Sequence, residues 1–341
     1  MAQKDTISMQ MVREALQQSG VDPVAFLAEV GIDPALLQQA DARVPVLLYA
    51  RLWRHLALRR DDEFFGMDPR PLRSGSLAFL CRGAMAQPTL AAALDSALGF
   101  LSLMLQDLPA QLVREHGLAA IVIDDAARPP RRAFTYFTYW MIVHGVACWL
   151  AGRRIPILAV ELRGPAPAYC DDYRVMFSHN LRFERPRTRI IFAADCLDLP
   201  MRRTPQELQR FLNRAPANIL VKYRDPDSLA RRLRQQLREQ PPHSWPEAEE
   251  LARQLHLSAA TLRRRLAEEG QTWQGLKDSV RRELAMAWLA EAPLSFESIA
   301  ERLGFADASS FYKAFRKWSG ASPGQYRSLI LAGTGQTAHP G

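Results

Sequence analysis

A short pattern occurs twice near the C-terminal end of this 341-residue chain, and it constrains the fold more than any other feature. The first copy is EAEELARQLHLSAATLRRRLAEEG (247–270). The second is SFESIAERLGFADASSFYKAFRKWSG (295–320). Each reads as a short helix ending in Leu, a tight turn, a capping residue, a second helix and a terminal Gly. Ser258 and Asp307 are good N-cap types, because a short side-chain oxygen accepts an N–H that a helix start leaves unpaired. Gly270 and Gly320 suit the left-handed residue just past a helix end, and Gly304 suits the turn of the second copy. This is the helix-turn-helix arrangement, whose second helix enters the major groove of DNA.

A helical wheel separates the residues of each second helix. Leu262 and Leu266, at i and i+4, mark the buried face. At about 100° per residue, Arg264 then points directly away from the core, and Arg263 and Arg265 lie roughly 80° to either side of the core direction. Ala260 and Ala267 share the outward side, where small neighbours let a long cation approach base edges. Arg265 is expected on the shoulder, near backbone or a neighbouring acid. In the second copy, Phe311 and Phe315 are the core pair. Ser309, Lys313 and Arg316 face outward, with Ser310 and Lys317 beside them. Exposed cations on one helix need no explanation beyond solvation, but the matching caps, turns and outward cations in both copies favour a groove-facing role. Between the copies, TWQGLKDSVRRELAMAWL (272–289) carries Trp273, Leu276, Val280, Leu284 and Ala287 on one face. A rigid linking helix of this kind would hold the two units for entry into successive major grooves, about 34 Å apart.

The C-terminal part closely resembles the AraC/XylS-type transcriptional regulators. The resemblance rests on Ile299, Ala300, Gly304, Phe305, Ser309, Phe311, Phe315, Arg316, Gly320, Ser322, Pro323, Tyr326 and Arg327, and it extends into the linking helix through Val280, Arg281, Ala285 and Leu289. It implies base contacts by Ala260, Arg263 and Arg264 in the first unit and by Ser309 and Lys313 in the second. Ala260 offers only apolar contact, for example to a thymine methyl. The expected DNA-binding set is Ser258, Ala260, Thr261, Arg263, Arg264, Ser309, Ser310, Tyr312, Lys313 and Arg316. Phosphate contacts are expected from the basic side chains and from the helix starts at Ser258 and Asp307.

The N-terminal half reads as mixed α and β. Helices are expected over 8–18, 23–30, from Pro34, over 47–58, and as a pair within 74–105 divided by Pro88. A hairpin is expected within 110–124 around His116–Gly117, an alternating strand over 157–164, and a strand pair within 181–193 around Pro186. GIDPALL (31–37), ARVP (42–45), QPTLAAAL (87–94) and PAPAYCDDYRVMF (165–177) resemble the regulatory domain of the ornithine-utilisation-regulator subgroup. That resemblance implies small-molecule sensing and dimerisation. The helical first hundred residues do not fit a cupin barrel. AFTYFTYWMIVHGVACWLAG (133–152) has no acid, Lys or Arg and is long enough to span a bilayer, but its Thr, Tyr and His residues favour a helix buried on all sides. Tyr136, Tyr139, Trp140 and Trp149 on it read as core rather than pocket, and His144 as a satisfied core residue. Adjacent Asp171 and Asp172 read as solvated.

The net charge of +8 suits a polyanionic partner. Cys81, Cys148, Cys170 and Cys196 form no CxxC pair and none has a His beside it, so reduced buried thiols in a cytosolic protein are expected rather than zinc or disulfides. There is no GxSxG, HExxH, GxGxxG or phosphate-loop motif. No cofactor, metal or catalytic residue is expected. The fold expected is α+β: a mixed α/β sensing and dimerisation domain over 1–215, a helical linker over 216–246 containing QPPHSWP, an all-α domain with two helix-turn-helix units over 247–330, and a flexible tail over 331–341. The function expected is a cytoplasmic activator responding to a small molecule. Its expected partners are double-stranded DNA, a second copy through the N-terminal domain, RNA polymerase and the effector. Two other classes stay open: a regulator controlled by a protein partner, and an enzyme with a DNA-binding tail.

Overall fold

The computed structural model describes every residue except 1–5, 18, 116, 127–128, 179, 221–228, 269–270, 291–293 and 332–341, together with the side chains of 231, 268, 290 and 329–331. Gly270 and nearly all of the expected tail therefore lie outside the described residues. The chain divides into two compact units, with the boundary after Tyr223.

The first unit opens with strand β1 (Thr6–Ser8), helix α1 (Met9–Gln17), α2 (Pro23–Val30), β2 (Arg43–Pro45) and α3 (Val46–Arg60). β1 and β2 pair antiparallel, with Ile7 opposite Val44. The segment from Pro34 is a single 3-10 turn capped by Asp33. α4 (Ser76–Met85) and α5 (Leu90–Met104) form the pair divided at Pro88, and the Thr89 hydroxyl caps α5 by accepting from the Ala92 N–H.

Five strands build the main sheet: β3 (Ala110–Glu115), β4 (Leu118–Ile123), β5 (Ile157–Glu161), β6 (Leu181–Arg182) and β7 (Thr188–Ala193), in the order β3-β4-β7-β5-β6. Two strand expectations are corrected. β6 and β7 do not pair with each other, because β5 lies between them, parallel to β6 and antiparallel to β7. β5 does not alternate either: all five residues are buried, as befits a strand flanked on both edges and covered on both faces.

Helix α6 (Ala133–Ala151) runs through this core, with every residue from Phe134 to Leu150 buried. Among the described residues, no helix is long and apolar enough to cross a membrane. Its aromatic residues pack as core. Tyr136 hydrogen-bonds the buried Asp125 carboxylate, and Trp149 stacks on Phe211 at 4.5 Å. His144 donates from Nε2 to the Ile155 carbonyl at 2.7 Å. Cys148 does have a histidine neighbour: one helical turn along, its Sγ lies 3.5 Å from His144 Nε2, a contact that adjacency in sequence does not reveal. All four cysteines are buried.

The solvated reading of the acidic pair is also corrected. Asp171 pairs with Arg174 at the surface of α7 (Cys170–Met176), whereas Asp172 is 3% exposed. Asp172 accepts from the Ser8 N–H at 2.9 Å and from Arg43 at 2.5 Å, tying α7 to the β1–β2 pair. Helix α8 (Pro205–Arg214) starts with a Thr204–Glu207 capping box and leads into α9 (Ala217–Leu220). There Ile219 packs against Gly145 of α6, where an added Cβ would come within 2.8 Å of the isoleucine side chain. Gly145→Ala is therefore expected to lower the stability of the first unit by about 1 kcal/mol through overpacking. A melting temperature equal to wild type would count against this contact.

Candidate nucleic-acid interface

The second unit is all helix: α10 (Leu229–Glu239), α11 (Ala248–Gln254), α12 (Ala259–Glu268), α13 (Trp273–Ala290), α14 (Phe296–Arg302), α15 (Ala308–Ser319) and α16 (Pro323–Leu331). Leu251, Leu262, Leu266, Trp273, Leu276 and Val280 form one core, and α10 adds Ala230, Leu233 and Leu237 to it. α10 lies within the expected linker, yet its apolar stripe belongs to the helix-turn-helix core. Trp245, from the expected spacer QPPHSWP, is buried too. Its Nε1 donates to the carbonyls of Leu237 and Gln240.

Both tight turns place the residue after a Leu in the left-handed region: His256 with φ 55° and Gly304 with φ 77°. Only the second is a glycine, so the first turn carries no glycine signal and accepts a cost of roughly 1–2 kcal/mol for an L side chain there. Both caps form. Ser258 Oγ accepts from the Thr261 N–H at 3.1 Å and meets the Thr261 hydroxyl at 2.8 Å. Asp307 accepts from the Ser310 N–H at 2.6 Å. That bond, followed by the Ser310 hydroxyl, holds the Asp307 carboxyl below the usual carboxylate range. Gly320 takes φ 73° at the end of α15.

The linking helix α13 deviates from the expected single stripe. Leu276 and Val280 are buried, but in its second half Ala285 and Leu289 are buried while Leu284 is half-buried and Ala287 exposed. The stripe rotates because α13 changes partners along its length. Its start packs on α10 and the first helix-turn-helix, and further along it packs on α14, α15 and α16. Arg281 sits at the change-over. Its Nε donates to the Leu303 carbonyl at 3.1 Å, and its guanidinium lies 5.0 Å from the Trp245 ring and 5.7 Å from the Phe305 ring. One cation thus spans both halves of the unit. Arg282 donates to the Trp318 carbonyl at 3.1 Å.

On α12, Leu262 and Leu266 are buried, while Ala260, Arg263, Arg264, Arg265 and Ala267 are exposed and Thr261 is half-buried. Arg263 pairs with Glu249 of α11 at 3.0 Å. An acid of the neighbouring helix thus stands beside Arg263. Glu249 is a residue the sequence reading passed over, although it is an exposed acid on the partner helix. On α15, Phe311 and Phe315 are buried. Ser309, Lys313, Arg316 and Lys317 are exposed, and Ser310 is half-buried. Tyr312 is half-buried, with its ring edge-on to Phe296 at 5.3 Å. Each unit thus offers a capped helix with small residues and cations on its outward side.

The first unit contains a cavity of about 580 Å³ between α3, α4, α5, α6 and the α8–α9 segment. Trp53, Leu72, Leu77, Leu101 and Ile219 give it an apolar lining, with Arg54 among the few polar groups. None of Tyr136, Tyr139, Trp140 and Trp149 lines it. Among the described residues, no cluster of His, Cys, Asp and Glu could hold a metal ion.

Two family models match. One, described as the arabinose-binding domain of AraC transcription regulator, N-terminal, covers residues 20–201. The other, described as a helix-turn-helix domain, covers residues 251–328. The chain is 32% identical over 185 residues to the ornithine utilization regulator of Pseudomonas aeruginosa, a match spanning 54% of this chain and 54% of that relative, about half its length. It is 26% identical over 326 residues to an HTH-type transcriptional regulator of Mycobacterium tuberculosis, covering 92% of this chain and 93% of the other. It is also 34% identical over 97 residues to the RCS-specific HTH-type transcriptional activator of Escherichia coli, covering 28% of this chain and 34% of that one.

Proposed function

The chain belongs to the AraC-type transcription regulators that carry the arabinose-binding N-terminal domain, and we propose that α12 and α15 read double-stranded DNA under the control of a small molecule held by the first unit. The observation that carries the DNA reading is the pair of capped helices with outward cations, held on either side of α13 by Arg281. We assign direct readout to Arg264, Ser309 and Lys313, with Arg263 engaged through its acid partner Glu249. Ser258, Thr261, Ser310, Tyr312 and Arg316 are assigned to the flanking contact surface, and Ala260 to apolar contact with a base methyl. Ser258 and Asp307 already accept helix N–H groups, so phosphate binding at these helix starts falls to the remaining backbone N–H groups.

In this proposal the chain acts as an activator and as a dimer formed through the first unit, and RNA polymerase is the partner it engages. The E. coli relative named as an activator supports the direction. The apolar cavity supports the sensing role. Its wall includes Leu212, Ala215 and Ile219, from the last described elements before the second unit, so occupancy would reach the segment that leads there.

In vitro selection from random duplexes with the full chain is the direct test of DNA reading. A single enriched motif is expected, and recovery of unrelated sequences would overturn it. Sensing is tested by thermal shift of the full chain against a metabolite collection. A true effector at 100 times its Kd adds about 2.7 kcal/mol to the unit it binds. A screen in which no compound raises the melting temperature would favour control by a protein partner.

A further inference from the structure

The helical pair α4–α5 presents an outer face that is poor in charge and bears exposed apolar side chains. In twenty-five helical residues it carries one cation, Arg82, and one acid, Asp95. Phe79 is 63% exposed and Leu103 is 76% exposed, and Phe79 lies 5.4 Å from the half-buried Phe100. On α5 the core side is Leu90, Ala93, Leu94, Ala97, Leu98 and Leu101. Away from that side, Asp95, Gly99 and Leu103 are exposed while Ser96 lies against Gly83 of α4, so apart from Asp95 the helix is apolar or small all round. Such a helix normally has protein on every side. An added Cβ at Gly99 would meet nothing within 4 Å, so a partner backbone can come close there.

Charge decides what covers this face. Arg82 and Asp95 are exposed, one on each helix, and neither has an ionic partner among the described residues. Partial desolvation at the protein surface pushes the Asp95 carboxyl up. In a twofold interface the same patch meets itself, so an unpaired cation and an unpaired acid on one patch become two ion pairs across the axis. A partner of uniform charge would leave one of them unmatched.

We propose that the outer face of α4–α5 docks on the same face of a second copy of this chain, with Phe79 and Leu103 at its centre and Arg82 of each copy opposite Asp95 of the other. The proposal rests on the dimer reading above and names the surface that forms it.

The test is the mass of the full-length protein by light scattering and sedimentation equilibrium. Wild type is expected to be a dimer. Leu103→Glu and Arg82→Glu are each expected to weaken it on the order of 100-fold, since each places a buried or like charge in the contact. Combining Arg82→Glu with Asp95→Arg is expected to restore the dimer, because the pair is reversed rather than removed. Unchanged circular dichroism and melting of the monomeric variants separates lost docking from lost folding, and both sites are exposed enough to tolerate the change. A monomeric wild type would overturn the dimer reading itself. A dimer indifferent to Leu103→Glu and Arg82→Glu would overturn this surface and leave that reading standing. Failure of the double variant to recover would overturn the Arg82–Asp95 pairing across the axis.

Discussion

Trp245→Ala is expected to destabilise the second unit by about 3–5 kcal/mol, the range for removing a large buried aromatic. Three losses act together. The ring leaves a cavity among Leu237, Leu251 and the start of α13. The carbonyls of Leu237 and Gln240 lose their Nε1 donor. Arg281 loses the aromatic face at 5.0 Å and keeps the Phe305 ring, so its hold on the first half of the unit goes while its hold on the second remains. Urea unfolding of the full chain, followed by circular dichroism and fitted as two transitions, reads the effect, because two-unit chains do not unfold in one step. A tryptophan in a solvated spacer would give a change within about 0.5 kcal/mol, and that result would return 240–246 to the status of a linker.

That contrast marks where sequence patterns carry information. The helix-turn-helix units were legible because every signal is local: the i, i+4 pairs Leu262–Leu266 and Phe311–Phe315, the caps Ser258 and Asp307, and Gly320. The core role of α10 was also encoded, in Leu229, Leu233 and Leu237 at four-residue spacing, but the arginines and glutamines between them drew attention to the polar face. Strand partners in the first unit were not legible. Which of β5, β6 and β7 are neighbours is decided by contacts between distant segments, and nothing within 181–193 shows that β5 will enter between its two strands. Asp172 escaped for the same reason: its partner Arg43 is 129 residues away. The rotation of the α13 stripe lies between these cases. Ala285 and Leu289 are visible as apolar residues, but the change of face follows only once two different helix-turn-helix cores lie against one helix.

Arg264→Ala is expected to weaken binding to the selected DNA site by about 1–3 kcal/mol and to relax preference at one base pair, with little change on a scrambled duplex. The geometry behind this is the exposed position of Arg264 on the side of α12 opposite Leu262 and Leu266, with small Ala260 and Ala267 beside it. Arginine there can present two parallel donors to guanine O6 and N7, a contact that a phosphate does not reproduce. Arg263 has part of its fork engaged by Glu249, and Arg265 lies on the other shoulder of the helix. For both, truncation is expected to cost less and to act alike on specific and scrambled DNA, lowering the salt dependence by roughly one phosphate contact. Fluorescence anisotropy titrations of the three variants on both duplexes, at several fixed salt concentrations, separate the cases. Equal losses on both duplexes would make Arg264 a phosphate contact. A larger loss of specificity at Arg265 would mean that α12 enters the groove on its other shoulder. A gain in affinity on removing Glu249 would show that the ion pair holds Arg263 back from the DNA.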